Sequence, residues 1–198
     1  AIVERGAPAT AVHAREIVLQ VYRWATERGQ KVENPADLVR PASIARFEPR
    51  DRTLAPEEIR IMYQYMGRIG TSPSIRAAVK LLLLTMVRKS ELTNATWSEI
   101  NFSEALWTIP KERMKRRNPH LVFLSRQAMD IFIALKTFSG GSGYVLPSRY
   151  DSDVPMSSAT LNRVMTMTYK LAQKEGQPLA KFGPHDLRRT DSTLLDEA

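Results

Sequence analysis

Apolar residues recur at helical spacing from Pro8 to Arg28, where Val12, Leu19, Tyr22 and Ala25 share one face and Gly29 stands where a left-handed residue closes a helix. A first helix is predicted there. Asn34-Pro35 then breaks the chain, and Pro35 to Val39 reads as the start of a short second helix. From Arg40 to Arg52 the apolar period disappears among Pro41, Pro49 and several arginines, the pattern of an exposed basic linker. It returns at Leu54, with Pro56 at a first helical position and Glu57 and Glu58 in the first turn, and predicts a helix to about Ile69. Residues Ile75 to Val87 are apolar almost all round, which predicts a central helix buried on most sides.

Farther on the period shortens. Trp97 to Phe102 leads into a predicted strand, Ala105 to Pro110, and His120 to Leu124 reads as its antiparallel partner. Ser125 caps a helix through Ala128, Ile131, Phe132 and Leu135, and Tyr144 to Pro147 is a third strand or an extended segment. Gly140 to Gly143 is a flexible loop without the flanking strand, helix and lysine of a phosphate-binding loop. Ser157 or Ser158 opens another helix with Leu161, Val164, Met165, Thr168 and Leu171 as its core stripe, and Met165 and Met167 as core fillers. A last helix follows the loop Gln177 to Gly183, with Leu187, Leu194 and Leu195 toward the core. The sum is a mainly α protein with a small antiparallel β-sheet, an α+β class.

Composition narrows the partner. A chain of 198 residues that is 43% hydrophobic can bury one substantial core or two small ones, and its formal charge of +8 favours a polyanion. A membrane surface competes for that charge, but no long basic amphipathic helix is present. The longest apolar run, Val79 to Val87, is too short to span a bilayer, and no basic-then-apolar signal segment opens the chain. With no cysteine and only His13, His120 and His185, neither a disulfide framework nor a zinc cluster is expected, and an intracellular, metal-independent protein is inferred. The chain begins in mid-pattern at Ala1 and is read as a piece of a longer one.

Three stretches carry candidate chemistry. In Pro184-His185-Asp186-Leu187-Arg188-Arg189-Thr190 a helical backbone puts His185 and Arg188 on one face, an imidazole and a planar guanidinium suited to an anion. Arg88 stands at the exit of the apolar helix, where a charge needs a partner or a ligand, and Glu91 is the obvious partner. Between the two strands, Lys111 to Pro119 holds five basic residues and one acid, a tip that repels itself unless phosphate is near. Each has a plainer reading: a solvated His/Arg face, a structural ion pair, a solvated basic loop.

Taken in order, Arg88-Lys-Ser-Glu91, the basic strand-turn-strand around Lys115, and His185-Asp-Leu-Arg188-Arg189-Thr resemble the catalytic domain of the tyrosine recombinases, the phage and prophage integrases in particular. The resemblance covers Thr53 to Ala198 and implies that fold, with 1–39 as the closing helices of a DNA-clamping core-binding domain, 40–52 as a linker and 53–198 as the catalytic domain. It implies that Arg88 and Arg188 grip the scissile phosphate, that Glu91 holds Arg88, that Lys115 (or, second, Lys111) protonates the leaving oxygen, and that His185 assists. Lys111, Arg113, Arg116, Arg117 and Arg189 would touch DNA. The family's nucleophile is a tyrosine after the second arginine, whereas the tyrosines here, at 22, 63, 65, 144, 150 and 169, all precede His185. The expectation is therefore a recombinase piece, truncated before its nucleophile, that binds attachment-site-like duplex DNA without cleaving it and is monomeric in solution. The intact parent would work without cofactor as a DNA-assembled tetramer in the bacterial cytoplasm, at the nucleoid or in a phage-infected cell, with accessory DNA-bending proteins admitted. A type IB topoisomerase and a non-catalytic basic DNA-binding module are the alternatives.

Overall fold

Pro8 removes an N–H that a first helical turn cannot use, and the helix it opens, α1 (Pro8–Glu27), closes where Gly29 turns to φ +78 and lets Gln30 donate back to the Ala25 carbonyl at 3.1 Å. The computed structural model describes residues 2–46, 51–114 and 117–196. They divide into two compact units, Ala1–Arg50 and Asp51–Ala198. In the first, Val12, Leu19, Tyr22 and Ala25 are half-buried, while Ile17, Val21 and Trp24 are exposed on other sides of α1. The second helix is not at Pro35 to Val39. There the Asn34 side chain accepts the Ala36 N–H at 3.0 Å and donates to Asp37 at 2.9 Å, closing a turn. The short helix α2 (Pro41–Ile44) comes later, inside the expected linker, and packs on α1.

The second unit is built around α4. Helix α3 (Pro56–Arg68) starts with the Ala55 N–H donating to Glu58 at 3.1 Å, and α4 (Pro73–Thr85) starts with the Ile75 N–H on the Ser72 hydroxyl at 3.4 Å. Ala78, Val79, Leu81, Leu82 and Leu83 of α4 are buried. Against it pack α5 (Lys89–Thr93), α6 (Arg126–Phe138), α7 (Ser158–Lys174) and α8 (Pro184–Asp196), as an almost wholly apolar helix demands.

The sheet is antiparallel, with β2 (Leu106–Ile109) between β1 (Ile100–Asn101) and β3 (His120–Phe123). Trp107 faces Ile100 and Val122 in register and meets Phe132 of α6 edge-on at 5.7 Å. Burying Phe132 contributes about 1.5–3 kcal/mol, and the edge-on geometry adds to it. The third strand is β1 rather than Tyr144 to Pro147, which makes only isolated bridges, Thr96 to Tyr144 and Pro147 to Pro155. Asn101 ends β1 at once, because its side-chain oxygen captures the N–H groups of Ser103 and Glu104, both at 3.1 Å.

Two core assignments are corrected. Met167 is 40% exposed, since two residues beyond buried Met165 a helix has turned about 200°. Leu194 is likewise exposed on α8, seven residues after buried Leu187, and the side chain of Leu195 lies outside the described residues. α3 packs along α7, and Tyr65 and Arg68 both donate to Glu175, at 2.8 and 2.6 Å.

Candidate active site

The turn between α4 and α5 is where the chain exposes its first candidate. Met86 lies in the left-handed region at φ 52, ψ 17, a conformation that costs a non-glycine residue on the order of 1–3 kcal/mol, and it reverses the chain so that Arg88 becomes the residue preceding α5. Glu91 then takes Arg88 twice. One carboxylate oxygen accepts the Arg88 backbone N–H at 2.7 Å and the other accepts the guanidinium at 2.6 Å. The burial is opposite to expectation: Glu91 is 4% exposed and the Arg88 side chain 45%. The buried charge is the carboxylate, and the arginine that neutralises it keeps the rest of its donor fork toward solvent.

A second arginine reaches the same residue from another direction. Arg113 closes a 3-10 turn, Lys111–Arg113, that follows β2, and its guanidinium donates to the Glu91 backbone carbonyl and to the Glu99 carboxylate. Glu99 also accepts from Trp107 Nε1 at 2.9 Å and from the Thr96 hydroxyl at 3.3 Å. Expected among the DNA contacts, Arg113 has its fork engaged inside the fold, because a carboxylate buried to 8% exposure draws the nearest guanidinium. An open cleft of about 460 Å³ lies beside it, lined by Ser90, Asn94, Thr96, Glu99, Arg113 and Tyr144. Lys111 and Arg117 are exposed, with Arg117 at φ 53, while Lys115 and Arg116 lie outside the described residues.

Helix α8 presents the remaining candidates. Pro184 begins it, and Asp186 in the first turn accepts the Gly183 N–H at 2.8 Å, which secures the start of the helix. Thr190 donates to the Asp186 carbonyl at 2.7 Å and accepts the Leu54 N–H at 2.8 Å, tying α8 to the chain just before α3. Close by, burial raises the Glu58 pKa, but hydrogen bonds from Arg52 and from the Ala180 and Ala55 N–H groups outweigh it and hold the carboxyl below its ordinary value. With Leu187 wholly buried, His185 and Arg189 are exposed and Arg188 is half-buried. The structure thus puts Arg88 and Glu91 in contact, joins Arg113 to Glu91, and packs the helix of His185 and Arg188 against the helix that Arg88 leaves.

Two polar groups on this face escaped the sequence reading. Asp191 is half-buried, its pKa is pushed up to about 6 by burial, and its Oδ2 has no hydrogen-bond partner among the described residues. Tyr63 of α3 is pushed up to about 12 by burial and, second, by the charge of Asp191. Among the described residues no helix is long and apolar enough to cross a membrane, and no group of three His, Asp or Glu stands together as metal ligands.

Set against known proteins, residues 52–198 match the model of the phage integrase family. The chain is 33% identical over 195 residues to prophage integrase IntZ of Escherichia coli (strain K12), covering 98% of this chain and 46% of that protein. Its fold matches the Tn1549 transposon integrase in complex with circular intermediate DNA, at a TM-score of 0.72 and 15% identity over 99% of this chain and 69% of that one. A lambda integrase tetramer bound to a Holliday junction matches equally, at 0.72 and 21% identity over 99% and 54%. The chain belongs to the phage integrase family, and its fold is that of the tyrosine recombinases. It spans less than half the length of the curated relatives it matches.

Proposed function

We propose that this chain supplies the phosphate-gripping part of a site-specific DNA recombinase that cleaves and rejoins strands through a 3′-phosphotyrosine. The observation that carries the reading is Arg88: a guanidinium fixed by a buried carboxylate at a strained turn, with the rest of its donors open to solvent. A phosphodiester in displacement builds charge on its non-bridging oxygens, and preorganised donors stabilise it most. Arg88 and Arg188 take those oxygens, His185 assists by hydrogen bonding, and Lys115, or Lys111 in its place, gives a proton to the departing 5′ oxygen. The phosphotyrosyl link conserves the energy of the broken bond, so the exchange needs no cofactor.

Duplex DNA is the partner, held by Lys111, Arg116, Arg117 and Arg189, with residues 1–39 belonging to a helical DNA-clamping domain. The formal charge of +8 supports this, as do relatives solved on DNA, one as a tetramer on a Holliday junction. We place the protein in the bacterial cytoplasm, with the working assembly a tetramer on DNA. The topoisomerase and simple binding-module readings have no observation in their favour. The test is Arg188→Ala in the full-length protein: strand cleavage falls by on the order of a hundredfold or more while duplex affinity stays within a few-fold, because one phosphate contact among many contributes little to binding. Equal loss of both would refute the clamp.

A further inference from the structure

We infer that Arg113 is a positioning residue for Arg88, bracing the short helix from whose start that guanidinium meets the phosphate. The inference rests on the phosphate-gripping reading of Arg88. Arg88 stands at the mouth of α5, a helix of five residues, too short to be stable through its own hydrogen bonds. Its place is set by what holds it from outside. At its far end the Asn94 N–H turns back to the Ser90 carbonyl and the Ala95 N–H to the Leu92 carbonyl, so these closing bonds pass over the carbonyl of Glu91. Arg113 takes that carbonyl. The carboxylate of the same Glu91 holds Arg88 by its backbone N–H at 2.7 Å and by its guanidinium at 2.6 Å. One residue therefore receives the brace on its main chain and passes it to Arg88 through its side chain.

The other end of the brace is fixed in the sheet. Arg113 also donates to the buried carboxylate of Glu99, which accepts the Nε1 N–H of wholly buried Trp107 on β2 at 2.9 Å. A single planar fork thus joins α5 to β2, and the arrangement goes beyond neutralising Glu99. Any cation can answer a buried carboxylate, but the bond to the Glu91 carbonyl compensates no charge; it sets geometry, and an ammonium cannot hold the same fork. Donors stabilise developing charge only where they are preorganised, and a misplacement of about 1 Å can cost on the order of a hundredfold in rate.

The test uses the full-length protein in single-turnover cleavage of a duplex that carries its site. Arg113→Lys keeps a cation beside Glu99 and should hold the thermal midpoint near that of the unaltered protein, while cleavage falls roughly tenfold and duplex affinity stays within a few-fold. An arginine that served only to neutralise Glu99 would be replaced by lysine without loss. Arg113→Met combined with Glu99→Gln removes both charges together, so that no carboxylate is left buried alone, and should show the same loss of cleavage. The deciding comparison adds Arg113→Lys to Arg88→Ala. With Arg88→Ala already slowed by about 10²- to 10³-fold, the second change should cost less than about twofold more, since no guanidinium is left to place. Losses that multiply when the two are combined, or full-rate cleavage by Arg113→Lys, would overturn the inference and leave Arg88 its role. Full-rate cleavage by Arg88→Ala itself would overturn the grip on phosphate, and this inference with it.

Discussion

Glu91 is shared by two arginines that differ in nearly everything else. Arg88 takes the carboxylate, is 45% exposed, and faces solvent with its remaining donors; Arg113 takes the backbone carbonyl, is 22% exposed, and spends its other side on Glu99. In the sequence both are basic residues near other basic residues. The structure separates a guanidinium that can receive a ligand from one that braces the frame around it. Positive charge alone identifies neither; what each fork already touches does.

The sharpest break between them is in catalysis. Arg88→Ala in the full-length protein should slow single-turnover cleavage by about 10²- to 10³-fold or more, the loss seen when one preorganised donor is removed, with duplex affinity by titration nearly unchanged. Stability does not separate them: Arg88→Ala leaves Glu91, and Arg113→Ala leaves Glu99, as a buried carboxylate without its counter-charge, and each should cost about 3 kcal/mol in denaturant unfolding. Cleavage that fell as far in Arg113→Ala as in Arg88→Ala would erase the distinction between the two.

A smaller effect comes from Asp191, a half-buried carboxylate whose Oδ2 has no hydrogen-bond partner among the described residues. Asp191 has its pKa raised from 3.8 to about 6 by burial, so the folded state holds that proton more tightly than the unfolded chain does. Its penalty is absent below about pH 4, grows as pH rises to about 6, and is complete above that. Asp191→Asn should therefore raise the thermal midpoint at pH 7.5 and change little near pH 4, and a constant difference across that range would contradict the assignment. Smaller still, Arg189→Ala should weaken duplex binding evenly across sequences and reduce the salt slope by about one.

Much of this was readable before any coordinates. Pro56 with Glu58, Ser125 and Ser157 mark helix starts by chemistry that acts over three or four residues, and the Arg88 to Glu91 spacing announced its ion pair for the same reason. What escaped depends on distance. Glu99 lies 14 positions from Arg113, and only the β1–β2 pairing brings them together, so a basic run in sequence gave no hint that one member was internal. Strand β1 is too short to show alternation, and the turn at Asn34 replaced a predicted helix through a side-chain hydrogen bond that apolar periodicity does not register. The direction of burial at Arg88 and Glu91 was also hidden, because the left-handed Met86 sets which of the two points inward.

The most direct measurement is a crystal structure of the full-length protein on a duplex carrying its cleavage site. Arg88 and Arg188 should each lie within hydrogen-bond distance of a different non-bridging oxygen of one and the same phosphate, with His185 beside it and Glu91 still holding Arg88. Finding the two guanidiniums on separate phosphates, or Arg88 turned away from DNA, would contradict the account.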